Sequence, residues 1–152
     1  MSFPALKIGD LTAKIPVVQG GMGVGISLAG LASAVANQGG IGVIAGAMIG
    51  MKEPDVAKDP LTANLRALRN EILKARELSN GIIGVNLMVA LTTFSQMVRT
   101  AVENKVDIIF SGAGLPLDMS LSSARRRRLP ELDWVRSRVV VSVKCTSPES
   151  RI

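Results

Sequence analysis

The sequence predicts an α/β fold, with about four βα units on a parallel sheet. Three observations predict it. Short apolar runs alternate with longer stretches at helical spacing, and most of those runs close on a glycine-bearing turn. The composition agrees: 47% of the chain is hydrophobic and 15 residues are glycine, but only 3% are aromatic. Such a mix suits helices packed closely on a buried parallel sheet, whereas an antiparallel sandwich uses more aromatic and β-branched residues.

The elements follow in order. Ile15-Pro16-Val17-Val18-Gln19 reads as a first buried strand, ended by Gly20-Gly21. A helix follows, with Ser27 as predicted N-cap and Leu28, Leu31, Ala32, Val35 and Ala36 at helical spacing, until Asn37-Gln38-Gly39-Gly40 stops it. Ile41 to Ala45 is a second strand. Residues 46 to 60 have no sustained period and read as a long loop, the most mobile part of this half. Between Leu61 and Leu78, Leu61, Leu65, Leu68, Ile72, Ala75 and Leu78 form one stripe, and Arg66, Arg69, Glu71, Lys74 and Glu77 lie elsewhere, as in an amphipathic helix. Ile82 to Val89 is a third strand, Phe94 to Asn104 a helix, and Val106 to Ser111 a fourth strand that ends in Gly112-Ala113-Gly114-Leu115-Pro116. The resulting order implies parallel pairing and right-handed crossovers. After Asp118 the character changes, and only Val139 to Val143 again resembles a strand.

Composition excludes several function classes. A lone cysteine, Cys145, allows no internal disulfide and cannot by itself make a metal site, and with no histidine the commonest metal ligand and general base is missing. Neither a secretory signal nor an apolar run of membrane-spanning length is found, so a cytoplasmic protein without membrane contact is expected. The net charge of +6 is concentrated in the tail: residues 118 to 152 hold eight Lys/Arg against four Asp/Glu. Arg125-Arg126-Arg127-Arg128 has no interleaved aromatics and no surrounding binding module. It reads as a solvated basic segment, and no nucleic-acid partner is expected.

Three places carry candidate chemistry. Gly20, Gly21, Met22 and Gly23 lie between a strand and a helix, where glycines admit a ligand close to the backbone; a tight turn is the alternative reading. Asn86 is a polar residue in an otherwise apolar strand and must find a partner, either a ligand at the sheet's mouth or a neighbouring loop. Gly112, Ala113 and Gly114 end the fourth strand, at the edge where parallel α/β sheets build their sites, though a plain strand-to-helix turn would look similar. Gly40-Ile41-Gly42-Val43-Ile44-Ala45 matches a dinucleotide-binding spacing, but its glycines precede the strand instead of following it, so it reads as a decoy.

Taken together, Pro16 to Val24, Ala36 to Ile44, Gly84 to Met88 and Ser111 to Pro116 resemble the nitronate monooxygenase family, formerly 2-nitropropane dioxygenase. That family is similar to the flavin-dependent enoyl-acyl-carrier-protein reductases. The resemblance implies the first half of a TIM (β/α)₈ barrel, binding FMN and oxidising a nitronate with dioxygen. In the related reductases the substrate is an enoyl thioester, with NAD(P)H as co-substrate. By position, Gly20, Gly21, Met22 and Gly23 would lie along the flavin, Asn86 would hydrogen bond to it, and Gly112, Ala113 and Gly114 would border the site. Family members add a Gly-Gly-His block that supplies the base, and later loops that hold the FMN phosphate. Neither is present in this sequence, and neither Asp107 nor Asp118 takes a catalytic assignment. The expectation is therefore a half-barrel over residues 1–118 with an atypical basic tail over 119–152. Such a truncated chain would be silent alone, forming a homo-oligomer or pairing with a C-terminal half.

Overall fold

In the computed structural model, residues 3–114 and the backbone of residues 140–143 are described. The first elements form an antiparallel hairpin, β1 (Leu6–Ile8) and β2 (Leu11–Ala13), turned at Gly9 with φ 59°. There follow α1 (Ala29–Asn37), β3 (Ile41–Ala45), a 3-10 turn (Ile49–Lys52), α2 (Pro60–Leu78), β4 (Ile82–Met88), α3 (Phe94–Glu103), β5 (Ile108–Gly112) and β6 (Val140–Val143). β3, β4, β5 and β6 form one parallel sheet in sequence order. The expected strand at Val139 to Val143 is present as β6; the arginine run and the rest of the tail lie outside the described residues.

Strand alternation divides the core in two. Ile44, Ile83, Val85, Leu87 and Ile109 turn outward and pack with α1, α2 and α3. In α2, Leu68 and Ile72 are fully enclosed in that layer, each contributing on the order of 2 kcal/mol of burial. Ile41, Val43, Ile108 and Phe110 turn inward, where Ala13, Leu6, Ile8 and Leu11 of the hairpin close the lower end. Gly84 makes room for the Phe110 ring, since a Cβ there would lie 2.6 Å from Cε2. The inner face is thus filled with apolar side chains at its amino end. Towards the carboxyl end it changes to Ala45, Asn86 and Gly112.

Five expectations are corrected. The run Ile15 to Gln19 is not a buried strand: it makes one parallel bridge, Val18 to Ile41, and Ile15, Val17 and Val18 are exposed. Pro16 has no N–H to donate, and the Val17 N–H bonds back to the Ile15 carbonyl at 2.7 Å, which bends the segment at the edge of β3. Ser27 does not cap α1. Leu28 occupies that position without a side-chain bond, and the free Ala29 N–H donates to Glu71 Oε2 of α2 at 2.8 Å, so the cap comes from another helix. Leu31 and Leu78, placed in apolar stripes by their spacing, are exposed. The fourth strand starts at Ile108 rather than Val106, because Asp107 is engaged as a pin described below. The segment 46 to 60 is not a featureless loop, as its anchoring shows.

Two side chains of α2 anchor that segment, and Asp59 at its end caps the helix. Asn64 Oδ1 accepts from the Gly50 N–H at 2.8 Å, Asp59 caps α2 through the Thr62 N–H at 3.0 Å, and Arg66 pairs with both Glu53, at 2.7 Å, and Asp55. The Arg66 hydrogen bonds hold the Asp55 carboxyl below its ordinary value, and those of Thr62 do the same for Asp59. A carboxylate with a depressed folded pKa supports the fold above its unfolded pKa and ceases to do so as pH falls through the folded one. The clamp is therefore complete at neutral pH and released in acid. A carbon-detected NMR titration should give Asp55 a midpoint below the usual carboxylate range, and Arg66→Gln should move it up. A midpoint unmoved by that substitution would remove Arg66 as the cause.

Candidate functional site

The candidate mouth is the carboxyl end of the sheet, and its construction begins at Gln19. The strand-like run gives out there, leaving the backbone of Val43 at the edge of β3 without a strand partner. The Gln19 amide replaces one: its Oε1 accepts from the Val43 N–H at 3.2 Å and its Nε2 donates to the Val43 carbonyl at 3.0 Å. This frees the main chain to leave the sheet as the Gly20 to Gly25 turn. Ser27 then braces the turn, accepting from the Met22 N–H at 3.0 Å and donating to the Gly20 carbonyl at 3.3 Å. The edge is closed by Ala45 N–H donating to the Ser27 carbonyl. Sequence reasoning missed both roles, although a glutamine at the end of an apolar run, just before two glycines, is the available signal.

The turn meets Asn86. A Cβ on Gly21 would stand 2.8 Å from Asn86 Cβ and 3.5 Å from Ala45 Cβ, so only glycine lets the loop cross at this height. Asn86 lies abreast of Ala45 and Phe110 on the inner face, half-buried, and its side chain makes no hydrogen bond to another described residue. Gly112 lies next to Met88 one strand further on, and Ser111, alternating outward, belongs to the helical side. Among the described residues, nothing lies within 4 Å of where a Cβ would be at Gly20 or at Gly112. The structure thus brings the Gly20 to Gly23 turn directly onto Asn86, and places Gly112, Ala113 and Gly114 at the same sheet end with β4 between. Gly114 packs against Val89, 3.3 Å from its Cβ.

Backbone strain collects here. Val24, Met48 and Ala113 have φ of 56°, 53° and 56°, and all three lie on loops at the carboxyl end of the sheet; Lys105, at the opposite end, is the other described non-glycine of this kind. Each such residue costs on the order of 1–3 kcal/mol, and such residues cluster where a loop is shaped for a ligand. A groove of about 470 Å³ between α2 and α3, lined by Arg69, Asn70, Thr100 and Glu103 among others, lies on the helical wall instead. Its Arg66 is already committed to Glu53 and Asp55.

Residues 5–144 match the nitronate monooxygenase family. The chain belongs to that family. It is a family of flavin-dependent oxidoreductases. No curated protein matches the sequence. Among solved structures, FabK from Thermotoga maritima is similar at 26% identity and a TM-score of 0.47, over 70% of this chain and 30% of that one. A point mutant of the same FabK is similar at 23% identity and a TM-score of 0.55, over 83% of this chain and 35% of that one. This second likeness is one of fold, and it makes the βα succession part of a (β/α) barrel. The chain spans about a third of the length of those structures. Among its described residues no helix is long and apolar enough to cross a membrane.

Proposed function

We propose that this chain supplies the ring-contacting half of an FMN site in an oxidoreductase of the nitronate monooxygenase type, acting on alkyl nitronates. The observation that carries the reading is the meeting of Gly21 with Asn86, with no described residue within 4 Å of the Cβ positions of Gly20 and Gly112. A flat cofactor needs such a cradle: backbone without side chains along one edge and a polar side chain not already satisfied. Gly20, Gly21 and Gly23 would present backbone groups, Met22 would pack on the ring face, and the Asn86 amide would hydrogen bond to it. Gly112, Ala113 and Gly114 would border the opposite side. Bound there, the flavin would accept the electrons of the substrate. No residue of this chain is assigned as base, and the phosphate of FMN would be held by polypeptide other than these elements. Enoyl thioester reduction with NAD(P)H fits the same cradle equally well.

Gly20→Ala tests this with little structural side effect, since its Cβ would meet nothing within 4 Å. The expected result is an unchanged melting temperature with FMN binding, read by quenching of flavin fluorescence, weakened at least tenfold. FMN affinity in Gly20→Ala and Asn86→Leu equal to that of the unsubstituted chain would overturn the cradle.

A second reading rests on the edge of β3, where Val17 and Val18 lie exposed beside a single bridge. In it the chain is a half-barrel, catalytically silent alone, that self-associates or pairs with a separate C-terminal half. A purified chain that stays colourless with FMN but turns yellow when co-expressed with the second half of a nitronate monooxygenase would favour it.

A further inference from the structure

We propose that Asn80–Gly81 is a site of spontaneous deamidation, held in check by the Ser79 hydroxyl, and that its conversion to isoaspartate unfastens the entry to β4. Of the asparagines Asn37, Asn64, Asn70, Asn80, Asn86 and Asn104, only Asn80 precedes a glycine. It lies exposed between the end of α2 and the start of β4. Among the described residues its side chain has no hydrogen-bond partner, which leaves Cγ open to attack. The chemistry needs only water and its hydroxide. The Gly81 nitrogen, once its proton has passed to hydroxide, bonds to Asn80 Cγ, and the side-chain amide nitrogen leaves as ammonia. Water then opens the cyclic imide at one carbonyl or the other. One opening gives aspartate; the other gives isoaspartate, in which the main chain runs through the side-chain carbon and is longer by a methylene. Glycine shields its nitrogen least, because it carries no Cβ.

The fold obstructs the first step. The Gly81 N–H that must be surrendered donates to Ser79 Oγ at 2.9 Å, a serine turn closed from two residues back. Ser79 is buried, so its side chain is confined by close packing. The Gly81 carbonyl accepts from Arg76 Nη1 at 3.2 Å, and the Gly81 backbone presses on α1, with 2.5 Å between its Cβ position and the Ala36 carbonyl oxygen. A peptide unit held on both flanks cannot turn its nitrogen towards Asn80 Cγ until the serine turn opens.

The product does not fit where the asparagine did. β4 lies between β3 and β5, with Ile82 abreast of Ile41, and the Ile83 N–H donates to Asp107 Oδ2 at 2.9 Å. A methylene added at residue 80 must be absorbed between α2 and Ile82, and Ala36 leaves Gly81 no room to give way. Either the Arg76 bond to Gly81 or the first pairing of β4 is lost.

Incubation of the full chain at mildly alkaline pH, below its melting temperature, tests the proposal without a flavin and so separately from the FMN reading. Peptide mapping by mass spectrometry, with electron-transfer fragmentation to tell isoaspartate from aspartate, follows each asparagine. Asn80 should convert first. Ser79→Ala should speed it at least threefold while leaving Asn104 unchanged, and Ser79→Thr, which keeps the acceptor, should hold the original rate. The isoaspartate form, separated by ion exchange, should melt about 4 °C or more below the unsubstituted chain, whereas Asn80→Asp, which keeps the length of the main chain, should melt close to it. Four outcomes would overturn the proposal: Asn80 converting no faster than Asn104, an Asn80 rate unmoved by Ser79→Ala, an equal acceleration of both asparagines in that variant, or an isoaspartate form that melts with the unsubstituted chain.

Discussion

Gly42→Ala should be the most damaging small substitution in the described chain. The Cβ it adds would stand 1.8 Å from the Ala32 carbonyl oxygen and 2.5 Å from its carbon, both backbone atoms of α1 that no rotamer change can move. Either α1 lifts from β3 or the strand shifts, and both open the layer in which Ala29, Ala32, Ala36 and Ile44 are buried. Overpacking in a well-filled core costs about 1–3 kcal/mol and occasionally more, and a backbone-to-backbone clash belongs at the upper end of that range. Thermal unfolding should show it as a fall of roughly 10 °C. A fall below about 2 °C would mean that α1 is less closely seated than the geometry requires. Gly20→Ala, with nothing within 4 Å, is the internal control.

The second large effect is expected at Arg76 and Asp107, which fasten the amino end of the barrel. Arg76 donates to Asp107 Oδ2 at 2.7 Å, to the Lys105 carbonyl at 2.9 Å and to the Gly81 carbonyl at 3.2 Å, while Asp107 Oδ2 also accepts from the Ile83 N–H at 2.9 Å. One guanidinium thereby joins the end of α2, the entry to β4 and the entry to β5. Arg76→Met leaves two carbonyls and a carboxylate to find other partners. Fully buried pairs cost about 3–5 kcal/mol to break from one side; here the side chains are 28% and 17% exposed, so solvent screens part of the loss and about 2 kcal/mol is expected. Urea unfolding of Arg76→Met, Asp107→Asn and the double variant measures it. Additive losses would show that the two residues act independently.

How much was legible depended on the range of the interaction. The helices and the parallel strands follow from local periodicity, and Pro60 to Leu78 and Ile41 to Ala45 are where the spacing places them. In the Gly40 to Ala45 run, Gly42 is required by the close approach of α1. The hairpin of β1 and β2 escaped notice because strands of three residues are too short to display a period. The edge run Ile15 to Gln19 has the composition of a buried strand, but burial is decided by neighbours on both sides, and only β3 is beside it. Composition likewise made 46 to 60 look slack, because its anchors Asn64 and Arg66 belong to the next helix.

The same division applies to the site. The sequence alone determined the βα succession, the family and the residues worth examining, because glycines after apolar runs and an asparagine within one are local departures from pattern. Only the tertiary structure decided that Gly21 lies on Asn86, that Gln19 stands in for a strand and that Glu71 caps α1. Each of these joins residues distant in sequence or on separate loops. Such contacts depend on how strands align and how closely helices approach, and neither quantity is written in the order of the side chains along one segment.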